Sequence, residues 1–420
     1  MTKTVTTGKA TDLITFTRST TGTYLGSDGL LKTANTNEPR IEYDADGNLK
    51  GLLIEEQRTN LVSDSEDMIV PFGRLISEST TSPTGETTAH SWKISEQASG
   101  YWYNYAPINS GTAYTASVFV KLPTEANNAG LRYVRLGSQT TFSTDNAVFD
   151  LQTGEQTSAT MNSGFVGSSI TPYGNGWYRI SITDTATSTT SGGSFSFVLF
   201  PASDSSGGVW TQTSDMIGKY LLHTFGWQTE TGTFPTSYIP TSGSTATRTN
   251  EQASLNALLF EYNGNEGTTI IEIDKANWAY TTTFPRAYSW GHGSQSVDIL
   301  NEVYNYGNSA PNSGKIRFRV DDSSGNAVFG ANFIDGSESD NTAKVALALK
   351  DNDMAIAWKG TVALTDTTGS PAIDLVTKLY IGSKFVESSS VVNDFINGHI
   401  KSIKYYPIRL TNNQLKALTQ

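Results

Sequence analysis

Cysteine is absent from all 420 residues of the chain. Disulfide bridges and thiolate metal sites are therefore excluded, and the composition suits a protein that is assembled in a reducing cytoplasm. Charged residues are also scarce, at 16% of the chain, which is too few for a disordered acidic protein. No run of about 18 apolar residues occurs, so we expect no membrane-spanning helix and no membrane insertion.

Basic residues are fewer than acidic ones: the chain has 29 Lys and Arg residues and 40 Asp and Glu residues, for a formal net charge of −11. Binding to a nucleic acid backbone needs clustered Lys and Arg, so no nucleic acid partner is expected. The acidic residues are scattered, as they are on an ordinary solvated surface. The segment after Met1 has no apolar core of the signal-peptide kind, so we also expect no secretory signal.

Small and β-forming residues are abundant, with 38 Gly and an aromatic content of 11%. Together with the many Ser and Thr residues, they favour short strands joined by turns. A chain of this length exceeds what one hydrophobic core usually serves. The sequence therefore predicts an all-β protein in three parts, at residues 1–60, 61–250 and 251–420.

Residues 1–60 have the pattern of small hairpins, with turn signals at 27–29 and 46–48. So short a segment buries little of its own surface, so we expect it to dock on the next domain or on a partner. Three stretches in order, Thr-Phe-Thr-Arg at 15–18, Asn-Glu-Pro-Arg at 37–40 and Leu-Leu-Ile-Glu-Glu-Gln-Arg-Thr-Asn-Leu at 52–61, carry a resemblance. They resemble the amino-terminal module of bacteriophage tail-fibre and head-fibre proteins.

Apolar and polar residues alternate clearly in the second part, for example over 114–122, and Gly-rich turns separate the strands. This spacing predicts a sandwich or jelly roll. The apolar stretch 195–200 predicts a strand that is buried on both faces. Gly-Trp-Tyr-Arg at 176–179 and the Trp-Gln strand with its Phe-Pro-Thr-Ser-Tyr-Ile-Pro strap at 226–240 resemble a carbohydrate-binding-type jelly roll of phage virion proteins.

The third part alternates again at 316–320 and 345–349. It ends with Gly-His-Ile, a Tyr-rich strand and a short helix that Thr411 can cap, with Leu415 and Leu418 on one face. This order resembles the concanavalin A-like (laminin-G-like) β-sandwich. The expected fold is thus an all-β chain: a small hairpin-rich docking module, a β-jelly-roll and a concanavalin A-like sandwich.

The resemblances imply a phage virion surface protein, either a head fibre, a tail fibre or a short spike, that binds host cell-surface glycan. Residues 1–60 would contact other virion proteins, host surface polysaccharide would be the ligand, and a homotrimer would supply avidity. Such a protein is assembled in the host cytoplasm and reaches the virion surface. One alternative is a purely structural capsid-decoration or adaptor protein without a ligand. Another is a polysaccharide depolymerase.

Motifs for catalysis are missing. The four histidines, His90, His223, His292 and His399, have no metal-ligand or triad spacing. The sequence also has no Gly-rich phosphate loop, Ser elbow or zinc-type spacing. We therefore expect a protein that is not an enzyme and that requires no cofactor.

Aromatic residues offer the better candidates for a binding site. In a strand, Tyr101, Tyr103 and Tyr105 share one face while Trp102 takes the other. Such tyrosines can stack on sugar rings and hydrogen-bond to sugar hydroxyls, although a core layer or a subunit contact would use them equally well. A second aromatic group can rim another site or pack in the interior: Trp278, Tyr280 and Trp290.

The jelly-roll resemblance also implies that a structural Ca²⁺ can be bound. Asp64, Glu66 and Asp67 follow the amino-terminal module and offer oxygen ligands. Their spacing matches no specific calcium loop.

Overall fold

The computed structural model describes the following residues: 14–70, 74–124, 128–139, 141–191, 195–274, 285–291, 301–305, 316–332, 342–386 and 391–420. Antiparallel strands dominate these residues, which confirms the all-β prediction. Short 3₁₀ turns lie at Gly174–Gly176, Ser214–Met216 and Ala257–Leu259. No helix in the described part of the chain is long and apolar enough to cross a membrane.

Six short strands lie between residues 14 and 60. They are β1 (Ile14–Thr17), β2 (Gly22–Leu25), β3 (Leu31–Ala34), β4 (Ile41–Tyr43), β5 (Leu49–Ile54) and β6 (Arg58–Asn60). The strands of the middle region are β7 (Leu75–Thr80), β8 (Ala89–Ile94), β9 (Trp102–Tyr105), β10 (Ala113–Lys121), β11 (Tyr133–Ser138), β12 (Asn146–Asp150), β13 (Glu155–Thr160), β14 (Phe165–Pro172), β15 (Tyr178–Thr185), β16 (Phe195–Ala202) and β17 (Tyr220–Thr231).

The middle strands form two sheets, a six-stranded sheet in the order β14-β15-β10-β17-β8-β7 and a five-stranded sheet in the order β13-β12-β11-β16-β9. One core lies between them, because alternate residues of each strand point inward. Trp102, Val118, Phe149, Ile180 and Trp227 are buried in this core. The result is the jelly-roll-type sandwich that the sequence predicts.

The six-stranded sheet also has a covered outer face. Phe119 and Phe225 pack there against Trp177 and Tyr238, forming a separate small cluster. The inward neighbours Val118 and Val120 of Phe119 belong to the main core. This sheet is therefore buried on both faces over part of its length. Strand β16 is likewise covered on both sides, as its sequence predicts, since Phe197, Val198 and Leu199 are all buried.

The remaining strands and the helix follow residue 245. They are β18 (Ala246–Arg248), β19 (Gln252–Asn256), β20 (Glu266–Asp274), β21 (Arg286–Gly291), β22 (Asn301–Asn305), β23 (Ile316–Asp321), β24 (Ala327–Asn332), β25 (Thr342–Lys350), β26 (Met354–Trp358), β27 (Thr361–Asp366), β28 (Lys378–Ile381), β29 (Lys384–Val386), β30 (Val391–Asn393), β31 (Gly398–Tyr406) and α1 (Asn412–Leu418).

Two seven-stranded sheets make up the second sandwich, in the orders β1-β19-β28-β21-β22-β23-β24 and β27-β26-β25-β20-β31-β5-β4. Strands β1, β4 and β5 come from the first 60 residues, with Phe16 opposite Ala253 and Leu53 opposite His399. The segment predicted as a separate hairpin module therefore does not fold apart over residues 14–60. Phe16 and Ile54 are buried in the core of the second sandwich, whereas Leu31 packs with Phe119 on the jelly roll. The segment thus buries its apolar residues against both domains.

Helix α1 closes one side of the second sandwich. Thr411 and Gln414 form a capping box, in which each side chain accepts a hydrogen bond from the backbone N–H of the other residue. Leu415 is buried and Leu418 packs beside it against the outer face of β25 and β26. These contacts confirm the predicted cap and apolar face.

A strap at residues 232–245 leads from the jelly roll to the second sandwich and is held by the end of β17. Gln228 accepts a hydrogen bond from the backbone N–H of Ile239 at 2.7 Å. Glu230 accepts from both the N–H and the hydroxyl of Thr236, at 2.9 and 2.7 Å. Gly226 has φ of +59°, and a Cβ there would lie 3.0 Å from the ring of Tyr238. The sequence Gly-Trp-Gln-Thr-Glu thus fixes the path of the strap.

Five buried ionic side chains form a central charge cluster beneath the strap: Arg18, Arg40, Glu55, Arg248 and Glu251. Glu251 pairs with Arg18 at 2.6 Å and with Arg40 at 2.5 Å. Glu55 pairs with Arg40 at 2.7 Å and with Arg248 at 3.2 Å. Burial lowers the pKa of Arg40, but attraction to Glu251 and Glu55 outweighs it and raises the pKa above its ordinary range. The guanidinium of Arg40 is therefore held in its charged form by the two carboxylates.

Replacing Glu251 by Gln should destabilise the chain strongly. The variant keeps the side-chain shape but leaves Arg18 and Arg40 without their shared carboxylate, and an uncompensated buried charge costs about 3–5 kcal/mol. Urea unfolding followed by Trp fluorescence would measure the change in the free energy of unfolding. Asp28→Asn is the control, because Asp28 pairs at 2.8 Å with Lys32 in a solvent-exposed bridge. An unfolding curve for Glu251→Gln that matches the native curve would contradict this prediction.

Candidate functional site

Strand β9 presents a row of tyrosines at one edge of the five-stranded sheet. Trp102 and Asn104 point inward and are buried. Tyr101 and Tyr103 are half-buried on the opposite face, and Tyr105 is 40% exposed. The alternation predicted from the sequence is thus the one that the strand adopts, because successive strand residues face opposite sides of the sheet.

The rings of this row are in contact. The ring centroids of Tyr101 and Tyr103 are 6.0 Å apart, and those of Tyr103 and Tyr105 are 5.6 Å apart. Phe200 on the neighbouring strand β16 adds a fourth ring, 5.4 Å from Tyr101, and the guanidinium of Arg135 lies over Phe200 at 4.6 Å. We call these five residues the tyrosine surface.

The backbone on both sides holds the tyrosine surface in place. On the outer side, Ile69 and Tyr103 exchange two backbone hydrogen bonds of 3.0 and 3.1 Å. On the inner side, the loop at 203–208 lies over the same sheet face, where Arg135 donates to the carbonyl of Gly207. A Cβ on Gly207 would lie 2.7 Å from Val148, so this loop packs closely on the sheet. The aromatic rings occupy what is left of the face.

The phenol hydroxyl of Tyr103, in the middle of the row, is protonated at neutral pH. Burial raises the pKa of Tyr103 above its ordinary value, and a hydrogen bond with Tyr105 adds to the shift. A protonated phenol both donates and accepts hydrogen bonds. The row therefore combines flat apolar rings with hydroxyl groups that can both donate and accept hydrogen bonds.

Of the second predicted aromatic group, the structure describes one residue, Trp290. Trp278 and Tyr280 lie outside the described residues. Trp290 is 4% exposed, donates its indole N–H to the hydroxyl of Thr269 at 3.0 Å and packs against Tyr405. A ring at this depth offers no face to solvent, so Trp290 is a core residue of the second sandwich.

The three acidic residues considered for calcium make separate contacts. Asp64 accepts a hydrogen bond from the N–H of Gly243 at 2.6 Å. Asp67 has an exposed carboxylate 3.9 Å from His90, and burial raises the pKa of Glu66. Within the described ranges, no three His, Cys, Asp or Glu side chains are grouped so as to hold a metal ion. Calcium binding stays a prediction.

A polar cleft of about 340 Å³ lies between the jelly roll, the strap and the second sandwich. We call it the interdomain cleft. On the sandwich side, His399 of β31 has Nε2 2.6 Å from Glu42 of β4 and Nδ1 3.5 Å from Asp274 at the end of β20. Lys50 lies 3.6 Å from Glu42 on the same side. No local motif marks this group, because Glu42 and His399 are 357 positions apart.

The charges of Glu42 and His399 support each other. Burial lowers the pKa of His399, but hydrogen bonds with Asp274 and Glu42 outweigh it and raise the pKa above the ordinary value of 6.5. Burial raises the pKa of Glu42, but the hydrogen bond and charge of His399 lower it to about 2. The imidazolium and the carboxylate are thus both the favoured forms in the folded chain.

Stability should depend on pH through this pair. The contribution of His399 is complete below pH 6.5 and is lost as pH rises through its raised folded-state pKa. The contribution of Glu42 is complete above pH 4.5 and is lost as pH falls towards about 2. His399→Gln should therefore lower the free energy of unfolding more at about pH 5.5 than at about pH 9.

Urea titrations at both pH values would measure this difference. Thr171→Val is the control, because Thr171 lines the same cleft without a titratable group. Equal losses for His399→Gln at the two pH values would contradict the prediction.

Neither a family model nor a curated protein matches the sequence. Similar solved structures include the CBM40 module of the Ruminococcus gnavus IT-sialidase bound to α2,3-sialyllactose, at 17% identity over 37% of this chain and 83% of that chain, with a TM-score of 0.30. A heptameric SAP-like pentraxin from Limulus polyphemus has 13% identity over 37% of this chain and 70% of its own, with a TM-score of 0.30.

Domains LG4-5 of the mouse laminin α1 chain have 9% identity over 74% of this chain and 86% of theirs, with a TM-score of 0.23. At these TM-scores the three similarities add nothing to the architecture described above.

Proposed function

We propose that the protein binds host cell-surface glycan through the tyrosine surface and acts by binding rather than by catalysis. The observation that carries this proposal is the row of contacting rings on the outer face of the five-stranded sheet, with Tyr105 at 40% exposure. Three tyrosines on one outer strand face are costly in a core, since each buried hydroxyl without a partner costs about 1–3 kcal/mol. An aromatic patch in water usually marks a contact surface.

The chemistry of the tyrosine surface suits a sugar. The CH-rich faces of pyranose rings are apolar and stack on aromatic rings, while the phenol hydroxyls exchange hydrogen bonds with sugar hydroxyls. Arg135 at the border adds N–H donors beside Phe200. A row of rings in contact accommodates a chain of sugars better than a single sugar, so the favoured ligand is a polysaccharide.

We further propose that the protein lies on the surface of a bacteriophage virion, as a head fibre, tail fibre or short spike. The support is the sequence resemblance at 15–18, 37–40 and 52–61. Residues 1–60 remain the proposed contact with other virion proteins. Because β1, β4 and β5 also complete the second sandwich, deleting them would unfold the chain rather than test the contact. Point substitutions on exposed positions of β3, such as Lys32 and Thr33, are the cleaner probes.

The competing functions are a structural capsid-decoration or adaptor protein and a polysaccharide depolymerase. A structural protein would show no saturable binding to host cells or to their purified polysaccharide. A depolymerase would release reducing ends from that polysaccharide. Binding without release is the outcome that this proposal expects.

Tyr103→Ala should weaken binding to host cells or purified host polysaccharide by about tenfold, equivalent to about 1.4 kcal/mol. Tyr103 is the middle ring and contacts both neighbours, so its loss interrupts the stacking surface. Its half-buried position predicts only a small change in thermal unfolding. Fluorescence-labelled protein on whole cells and isothermal titration with the polysaccharide would measure the binding.

Two further variants separate binding from packing. Tyr43→Ala removes a half-buried tyrosine of the second sandwich and should leave binding unchanged. Trp102→Ala, on the buried face of the same strand, should lower the free energy of unfolding by about 3–5 kcal/mol. If Tyr103→Ala behaved like Trp102→Ala, or dissociated an oligomer, the tyrosine surface would be a packing contact instead.

A homotrimer is the proposed assembly, because several weak sugar sites on one particle gain affinity through avidity. Light scattering at micromolar concentration should then give three times the mass of one chain. Tyr103→Ala should leave this mass unchanged. The mass of a single chain under these conditions would contradict the trimer but would not bear on the proposed sugar site.

A further inference from the structure

The interdomain cleft has one wall of hydroxyl groups. Strands β14 and β15 expose Ser169 and Thr171 there, and Ser181 lies behind them with its hydroxyl 2.7 Å from that of Ser169. The intervening residues Ile180 and Ile182 point into the jelly-roll core. The wall is therefore the polar outer face of the six-stranded sheet at one edge. It is rigid because the alternate residues of the same strands are packed in the core.

The facing wall belongs to the second sandwich and carries charge. Its side chains remain in part accessible, at 12% for Glu42, 19% for Asp274 and 33% for Lys50. His399 lies between the two carboxylates and holds them apart. Glu42 also accepts a hydrogen bond from the N–H of Leu25 at 3.2 Å and lies near Lys50. Each carboxylate oxygen can accept two hydrogen bonds, so a ligand hydroxyl can share Glu42 with these partners.

The end of the cleft is formed by Arg179 and the strap. Arg179 is 6% exposed; it donates to the carbonyl of Thr236 at 2.6 Å and to the hydroxyl of Ser117 at 2.8 Å. Its Nε–H has no hydrogen-bond partner among the residues that the structure describes. The guanidinium also lies over the ring of Phe119 at 5.4 Å, and these contacts hold Arg179 in place as the end wall of the cleft.

The charges that line the cleft balance. Three carboxylates face three cations: Glu42, Glu55 and Asp274 against Lys50, Arg179 and His399. The carboxylates would repel an anion, and the guanidinium and the imidazolium would repel a cation. An apolar molecule would leave the hydroxyls and carboxylates without water. A neutral molecule that both donates and accepts hydrogen bonds at many positions satisfies every wall.

We propose that the interdomain cleft is a second binding site, separate from the tyrosine surface, for a neutral polyhydroxylated molecule of one or two sugar rings. The volume of about 340 Å³ lies at the lower end of the range for small-molecule sites, about 300–1,000 Å³. Hydroxyls of the ligand bind Glu42 and Asp274 on one side and Ser169 and Thr171 on the other. Because the two walls belong to different domains, the ligand ties the domains together.

A test uses the full chain carrying Tyr103→Ala, so that the tyrosine surface does not contribute. D-Glucose, D-galactose, N-acetyl-D-glucosamine and their β-linked disaccharides are titrated to about 10 mM, roughly ten times a millimolar Kd. Saturation-transfer NMR reports binding, and thermal unfolding reports stabilisation. At least one of these sugars should bind and should raise the unfolding temperature with concentration, because it binds only the folded chain.

Two cleft variants in the same background should abolish or weaken that binding. Ser169→Tyr fills the cleft from β14 and should remove the signal, whereas Ser79→Tyr, on the exposed opposite edge strand β7, is the matched control and should not. Thr171→Val changes only a hydroxyl and should weaken binding by about fivefold, or about 1 kcal/mol. Far-UV circular dichroism checks that each variant is folded.

Two results would overturn the proposal. The first is that no sugar of the panel binds the Tyr103→Ala chain, which would leave the tyrosine surface as the site and the cleft as a hydrated junction. The second is that Ser169→Tyr binds as well as Ser79→Tyr. Loss of cell binding in Tyr103→Ala bears only on the tyrosine surface, so the two proposals fail separately.

Discussion

The central charge cluster buries five ionic side chains next to one another, and the arrangement of the whole chain depends on their pairing. Arg40 contacts both Glu55 and Glu251, and these two carboxylates also bind Arg248 and Arg18. Each group alone would lose several kcal/mol of hydration on burial. They are tolerated only together, so the segments that carry them must meet in one geometry. The cluster thereby joins the amino-terminal segment, through Arg18, Arg40 and Glu55, to the chain from β18 to the start of β19.

The fixed strap gives the jelly roll two different outer faces. Its six-stranded sheet faces the strap and the second sandwich, where Phe119 and Tyr238 pack and the interdomain cleft opens. Its five-stranded sheet faces away, and there Tyr101, Tyr103 and Tyr105 remain in contact with solvent. One side of the domain thus makes intramolecular contacts, and the other carries the tyrosine surface that we propose as a glycan site. The two proposed sites lie on opposite faces and can be occupied independently.

Local sequence patterns were sufficient to predict part of the fold and of the candidate site. Alternation placed Trp102 inside and its tyrosine neighbours outside, and the capping pattern at Thr411 placed the helix, because both depend on residues within four positions. The pairing of β5 with β31 and the contact of His399 with Glu42 join residues more than 340 positions apart, and no local pattern encodes them. Trp290 shows the same limit, since its burial depends on rings from distant strands.

Strand β5 is synthesised near the start of the chain, yet it hydrogen-bonds to β31, near the end. The jelly roll is therefore an insertion between two pieces of the second sandwich. The strands of its two sheets all lie between residues 75 and 231, so these sheets can form before the rest of the chain has been synthesised. Strands β1 and β5 remain without their partners until β19 and β31 have been synthesised. Their unpaired edges are exposed to aggregation and proteolysis during that time. Closure of so long a loop is slow but costs little extra free energy, because the entropy grows only with the logarithm of loop length. A chain that stops short of β31 can still pair β1 with β19 but leaves one edge of β5 unpaired, so the fold itself distinguishes chains that contain β31 from chains that lack it.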